Sequence, residues 1–189
     1  TTGGLTVTAG GAVTQSGTLV IPGTTTISAS GHAVTLGDSS NNFGTTAITG
    51  ANVAITDTNA IILGASTVSG TYSVTAGGAV TNSGTQEITG ITTISASGHN
   101  VTLDTATNNF ANEVRITGAA VTVVDEDAID LGASTVSGAY AVTAGGAVTN
   151  SGTQEIAGVT TISASGQDVT LNTATNNFAN EVRITGAAV

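Results

Sequence analysis

Asp125-Glu126-Asp127, with Asp130 close behind, is the densest group of charge in the chain. A hard cation such as calcium takes about six to eight oxygen ligands, and alternate carboxylates can supply some of them. Asp125, Asp127 and Asp130 are therefore the metal-ligand candidates, and weak ones. The preceding copy of the same phrase reads Asp57-Thr58-Asn59 with Ile62, and no glycine-rich calcium nonapeptide follows. A solvated acidic corner is the reading that remains.

Other reactive residues fare no better. His99 answers to His32 in an earlier copy but to Gln167 in a later one, and a general base does not survive that exchange. Hydroxyls are abundant, yet no Gly-x-Ser-x-Gly elbow accompanies them and no histidine stands in a fixed relation to one. Solenoid enzymes acting on acidic polysaccharides set carboxylates beside cations, and this chain has only Arg115 and Arg183. No catalytic residue is assigned, no cofactor is expected, and the chain reads as a non-enzyme. Glu113 and Arg115 lie two apart, as do Glu181 and Arg183, so each pair shares one face of a strand. An exposed pair of that kind adds little stability but discourages lateral strand pairing.

What surrounds these residues is repetition. Residues 71–121 overlay 139–189 without a gap and differ at seven positions: Thr71/Ala139, Ser73/Ala141, Thr89/Ala157, Ile91/Val159, His99/Gln167, Asn100/Asp168 and Asp104/Asn172. A more divergent copy begins near Val7. TAGG stands at 8–11, 75–78 and 143–146, which fixes the period. We divide the chain into repeats at about 1–66, 67–134 and 135–189, the last truncated, and expect a single continuous segment of a longer array. The missing initiator Met and the start and stop in mid-pattern agree with an excerpt. Within each repeat a shorter phrase returns at Val74, Ile94, Ile116 and Val142, in steps of 20, 22 and 26 residues. That is the length of a coil.

Composition narrows the fold. Twenty-six glycines are about twice the usual share, and Val, Ile and Thr dominate the remainder, a vocabulary of strands cut by turns. In Tyr72-Ser73-Val74-Thr75-Ala76 apolar and polar residues alternate, as they do in a half-buried strand. A five-residue strand with one apolar face cannot close a core alone. Stacked coils, about 4.8 Å apart, can. The prediction is all-β, a parallel β-helix or β-solenoid with about three coils of 20–26 residues per repeat. Nine coil starts follow, at Val7, Ile27, Ile48, Val74, Ile94, Ile116, Val142, Ile162 and Ile184, with Val74, Ile94, Ile116 and Val142 in one inward ladder. An immunoglobulin-like sandwich wants about 100 residues per unit and an aromatic core. An outer-membrane barrel wants strands of about ten residues and aromatic girdles. Near-identical copies also argue against a globular antiparallel domain.

Charge and composition exclude several partners. A net charge of -10 with two cations is incompatible with binding nucleic acid through its phosphates. The absence of cysteine removes disulfides and thiolate metal sites. No apolar run reaches the roughly 18 residues of a membrane-spanning helix, so no membrane insertion is expected. Asn108-Asn109 and its copies read as turn residues able to take left-handed conformations and bond their own backbone. Phe43, Phe110 and Phe178 read as cover for a corner or the core. Thr6-Val7-Thr8, Thr56-Asp57-Thr58 and Thr105-Ala106-Thr107 fall at different places in their coils and make no regular ice-binding array.

The phrase VTAGGAVTxSG, followed by TTISASG, VTL, NNF, ITGAAVTV and ASTVSG, resembles the repetitive shafts of filamentous-haemagglutinin-like exoproteins, the large adhesins exported by two-partner secretion in Gram-negative bacteria. The resemblance spans essentially the whole chain. It implies a right-handed β-helix, an extracellular or bacterial outer-surface location, and a structural role as a fibre shaft. Its partners would be neighbouring repeats of the same chain or end-to-end copies. Host or neighbouring-cell contacts would be made by regions outside this segment. The alternatives are a carbohydrate-binding or carbohydrate-processing passenger domain on the same solenoid, and a subunit of a self-assembling extracellular filament.

Overall fold

In the computed structural model, which describes residues 3–189, the described chain forms twenty-five short strands and no helix. The strands lie in two sheets of thirteen and twelve, and every strand pairing is parallel. Each turn stacks on the one before it, so that Val20 lies beside Asn42 and Thr45 beside Ile62. This is the parallel β-solenoid. The longest path through the twelve-stranded sheet crosses nine layers, a rise of roughly 40 Å at about 4.8 Å per layer.

Alternation builds the core. Tyr72–Ala76 buries Tyr72, Val74 and Ala76 and turns Ser73 and Thr75 outward. Val121–Asp125 does the same with residues 121, 123 and 125. One continuous apolar cluster runs from Ile27 to Val169, and each fully buried Val, Ile or Leu contributes about 1.5–3 kcal/mol. At the corners, amides bond to the adjacent turn instead of to a local turn. Val101 donates to Ala120 O and Val121 to Ala139 O, both at 2.9 Å. Local turns do close at two places, before the asparagines, where Asn41, Asn108 and Asn176 donate to Asp38, Thr105 and Thr173 O, and at the ISASG corners, where His32, His99 and Gln167 donate to Ala29, Ala96 and Ala164 O. Gly31, Gly98 and Gly166 take φ of 75°, 77° and 77°, a region where a Cβ is strained and glycine is not.

The coil register differs from the sequence expectation at the two 26-residue steps, from Ile48 to Val74 and from Ile116 to Val142. Leu36, Ile55, Val74, Ile94 and Ile116 do form one inward column. Val142 stands in the other sheet, in the column Leu103–Val123–Val142–Ile162–Ile184. The reason is the length of the turn after Ile116. Thr92 pairs with Val114, but Val114 already pairs with Leu131 and Thr117 with Thr135, so that turn is shorter than the one below it. The step from Ile116 to Val142 is thus a whole short turn plus about half of another. Equivalent residues of successive repeats consequently alternate between the two sheets of the rod.

Candidate functional site

Asp125 is not solvated. It ends the strand Val121–Asp125 on the inward phase and is 1% exposed. Its carboxylate accepts the Phe110 N–H at 2.9 Å and the Asp127 N–H at 2.8 Å. Asp57 repeats the arrangement, accepting from Phe43 at 2.6 Å and Asn59 at 2.9 Å. The expected acidic corner therefore holds for Glu126 and Asp127, which are exposed, and fails for Asp125. Asp130 is half-buried on the strand Ile129–Leu131, beside Thr149. The three metal-ligand candidates do not converge, and among the described residues no group of three His, Cys, Asp or Glu side chains is arranged to hold a cation. We expect calcium to leave the melting temperature unchanged. A saturable rise at micromolar calcium would overturn this.

Burial pushes the Asp125 carboxyl from its ordinary 3.8 up to about 6. The two N–H bonds oppose the rise, and the charges of Asp127 and Glu126 add to it. A raised acid favours the fold when protonated. Its contribution is complete below the unfolded pKa near 4 and is lost as pH rises through about 6. Relative to Asp125→Asn, the parent chain should lose about 1–2 kcal/mol between pH 4 and pH 7, after allowance for solvent screening at the corner. Thermal melts of both proteins across that range decide it, and parallel pH curves would contradict the prediction.

The largest concentration of side-chain hydrogen bonds lies inside the rod. Asn108 is fully buried. Its Oδ1 accepts from the Gln86 N–H at 3.0 Å and from Asn82 Nδ2 at 2.9 Å, and its Nδ2 donates to Leu103 O at 3.2 Å. Asn41 and Asn176 occupy the same place in the other copies, bonded to Gln15 and Leu19 and to Asn150 and Gln154. No non-glycine residue described has positive φ, so the expected left-handed asparagine turn is absent. The turn bends without it, and the amide holds the turn beneath. Gln86 Nε2 donates to Gly64 O and Gly84 O at 2.8 and 2.9 Å. The Ser66 hydroxyl accepts from Ile48 N and donates to Gly64 O, both at 3.1 Å. Ser134 and Gln154 reproduce these bonds in the next repeat. Ser66 stacks under Gln86, and Gln86 lies under Asn108. A polar seam thus crosses three turns of a largely apolar core. Period-two counting from Val68 and Ile88 points Ser66 and Gln86 inward, and that was the available signal.

The remaining candidates lie on the outside. His32, His99 and Gln167 are exposed at corners. Arg115 Nη2 meets Glu113 Oε2 at 2.6 Å and Arg183 meets Glu181 at 2.7 Å. The guanidinium of Arg115 holds the Glu113 carboxyl below its usual range. Phe43 and Phe110, by contrast, are 1% exposed, and Phe178 packs on the core. The three Thr-x-Thr motifs stay apart, but single hydroxyls do stack. Thr56, Thr75, Ser95, Thr117 and Thr135 form one column on the sheet face, the last step shown by the Thr117–Thr135 pair.

A family model described as repeats of unknown function (DUF5649) matches residues 1–49, 50–117 and 118–185. The second match begins at 50 and the third at 118, the same spacing as the TAGG copies at 75 and 143. The phase differs from the divisions at 66 and 134. No curated protein and no solved structure matches the chain. With three successive matches running over nearly its whole length, the chain belongs to the family of DUF5649 repeats.

Proposed function

We propose that this segment is non-enzymatic shaft, a length of a secreted or surface-anchored bacterial adhesin or fibre. The observation that carries the reading is the unbroken parallel ladder. From Leu5 to Thr185 each turn is bonded to the next, and interior groups recur copy after copy. Such a rod lengthens by adding repeats that touch only their neighbours. The net charge of -10 opposes side-by-side association, which suits an extended, dispersed fibre. Resemblance of the repeat phrase to filamentous-haemagglutinin-like exoproteins supports an extracellular or outer-surface location, with adhesion carried by other regions.

A carbohydrate-binding passenger is the second reading, and the outward hydroxyl column from Thr56 to Thr135 favours it. A glycan array separates the two. A shaft leaves every glycan unbound, whereas selective, saturable binding that is lost on Thr75→Val with Thr117→Val would replace the shaft by the second reading.

A further inference from the structure

Two sets of buried oxygens, one repeat apart, lack a hydrogen-bond partner in the chain. They are the Tyr72 phenol, Gln86 Oε1 and the Thr92 hydroxyl, and then the Tyr140 phenol, Gln154 Oε1 and the Thr160 hydroxyl. All six side chains are 0–1% exposed. The ladders place each trio in two adjacent turns. Thr92 stacks directly on Tyr72, and Gln86 stacks on Ser66, whose hydroxyl faces the Tyr72 phenol without closing a bond of ordinary geometry. Both Gln86 N–H groups are committed to Gly64 O and Gly84 O, so its oxygen is the atom left over. Thr160 on Tyr140 and Gln154 on Ser134 repeat the arrangement.

We propose that each of these two cells holds one ordered water molecule, bound by the tyrosine phenol, the glutamine oxygen and the threonine hydroxyl. The chemistry selects water. Gln86 Oε1 can only accept, while the phenol and the hydroxyl each donate or accept, and one water offers two donors and two acceptors. Buried waters make about three hydrogen bonds to groups of this kind. No charged side chain belongs to either trio, which argues against an ion. The first copy supplies an internal comparison: Leu5 and Leu19 stand at the tyrosine and glutamine positions while Thr25 remains, its buried hydroxyl also without a partner, so the phenol and the glutamine oxygen are what set the two later copies apart. The two polar groups occur together or are absent together, as partners in one site should be. The site is independent of what the rod is for.

A crystal structure of this chain at water-resolving resolution tests the proposal. The expected result is one water in each cell, about 2.7–3.2 Å from the three oxygens, and none beside Leu5, Leu19 and Thr25. Dry cells, or a phenol bonded directly to Gln86 Oε1, would overturn it. In solution, water-oxygen relaxation dispersion counts long-lived internal waters. Tyr72→Phe with Thr92→Val should lower the count by one while the Tyr140 cell keeps its water, and an unchanged count in the folded variant would also overturn it. Should that variant fail to fold, the parent crystal structure alone decides between the outcomes.

Discussion

Val101→Asp should cost several kcal/mol, or fray the turn it belongs to, whereas Thr102→Asp next to it should stay within about 0.5 kcal/mol. Val101 is 0% exposed, between Val80 below and Val121 above. A carboxylate there has no cation to meet, because Arg115 lies on the outside, paired with Glu113. Thr102 points outward between Thr81 and Thr122, so an acid there stacks on hydroxyls and not on another acid. Denaturant melts of the two variants give the contrast. Because a solenoid can lose one end before the other, hydrogen exchange of Val80 and Val121 should accompany them. Equal tolerance at the two positions would remove the alternation on which the fold rests.

The second large effect is expected at two adjacent asparagines. Asn108→Ala should cost about 3 kcal/mol and Asn109→Ala less than about 0.5 kcal/mol. Removing the Asn108 amide strands the buried Gln86 N–H, a loss of about 1–3 kcal/mol, takes one acceptor from Asn82 Nδ2 and one of its donors from Leu103 O, and leaves a cavity in the turn. Asn109 is half-buried on the outward phase and makes one long bond to Asp127, 3.4 Å. Thermal and urea melts of the two single variants measure the difference. Similar losses would mean that Asn108 is only a turn residue, as its neighbours in sequence suggest.

That asparagine marks where reading the sequence stops. Propensity describes Asn108 through its own turn, but the groups that need it, Gln86 N and Asn82 Nδ2, arrive from the turn beneath, 22 and 26 residues away. Asp125 departs from the expected solvated corner for a different reason. Alternation from Val121 and Val123 already sent it inward, and the ordinary preference of acids for solvent overrode that signal. In the structure two backbone N–H groups take the place of water. Alternation in Tyr72–Ala76 sends the Tyr72 ring inward but says nothing of what its hydroxyl meets. Burial raises the Tyr72 and Tyr140 phenols far above their ordinary range, with the Ser66 and Ser134 hydroxyls opposing, and which hydroxyl each one faces depends on the stacking.

By itself the sequence determined that this chain is a stack. A near-exact long period, alternation over short stretches and a vocabulary of Val, Ile, Thr and Gly leave parallel coils as the way to bury one face and satisfy the backbone. It also determined that Val74, Ile94 and Ile116 share a column, because the steps between them match the length of a turn. Only the tertiary structure decided where Val142 goes. Register in a parallel ladder is set by how many residues each turn spends at its corners, and the turn after Ile116 closes at Leu131 and Thr135, in fewer residues than its neighbours. Nothing local marks that shortening, since it appears only when Ala133 and Ser134 fold over the strand below. The half-turn it introduces sends equivalent residues of successive repeats to opposite sides of the rod.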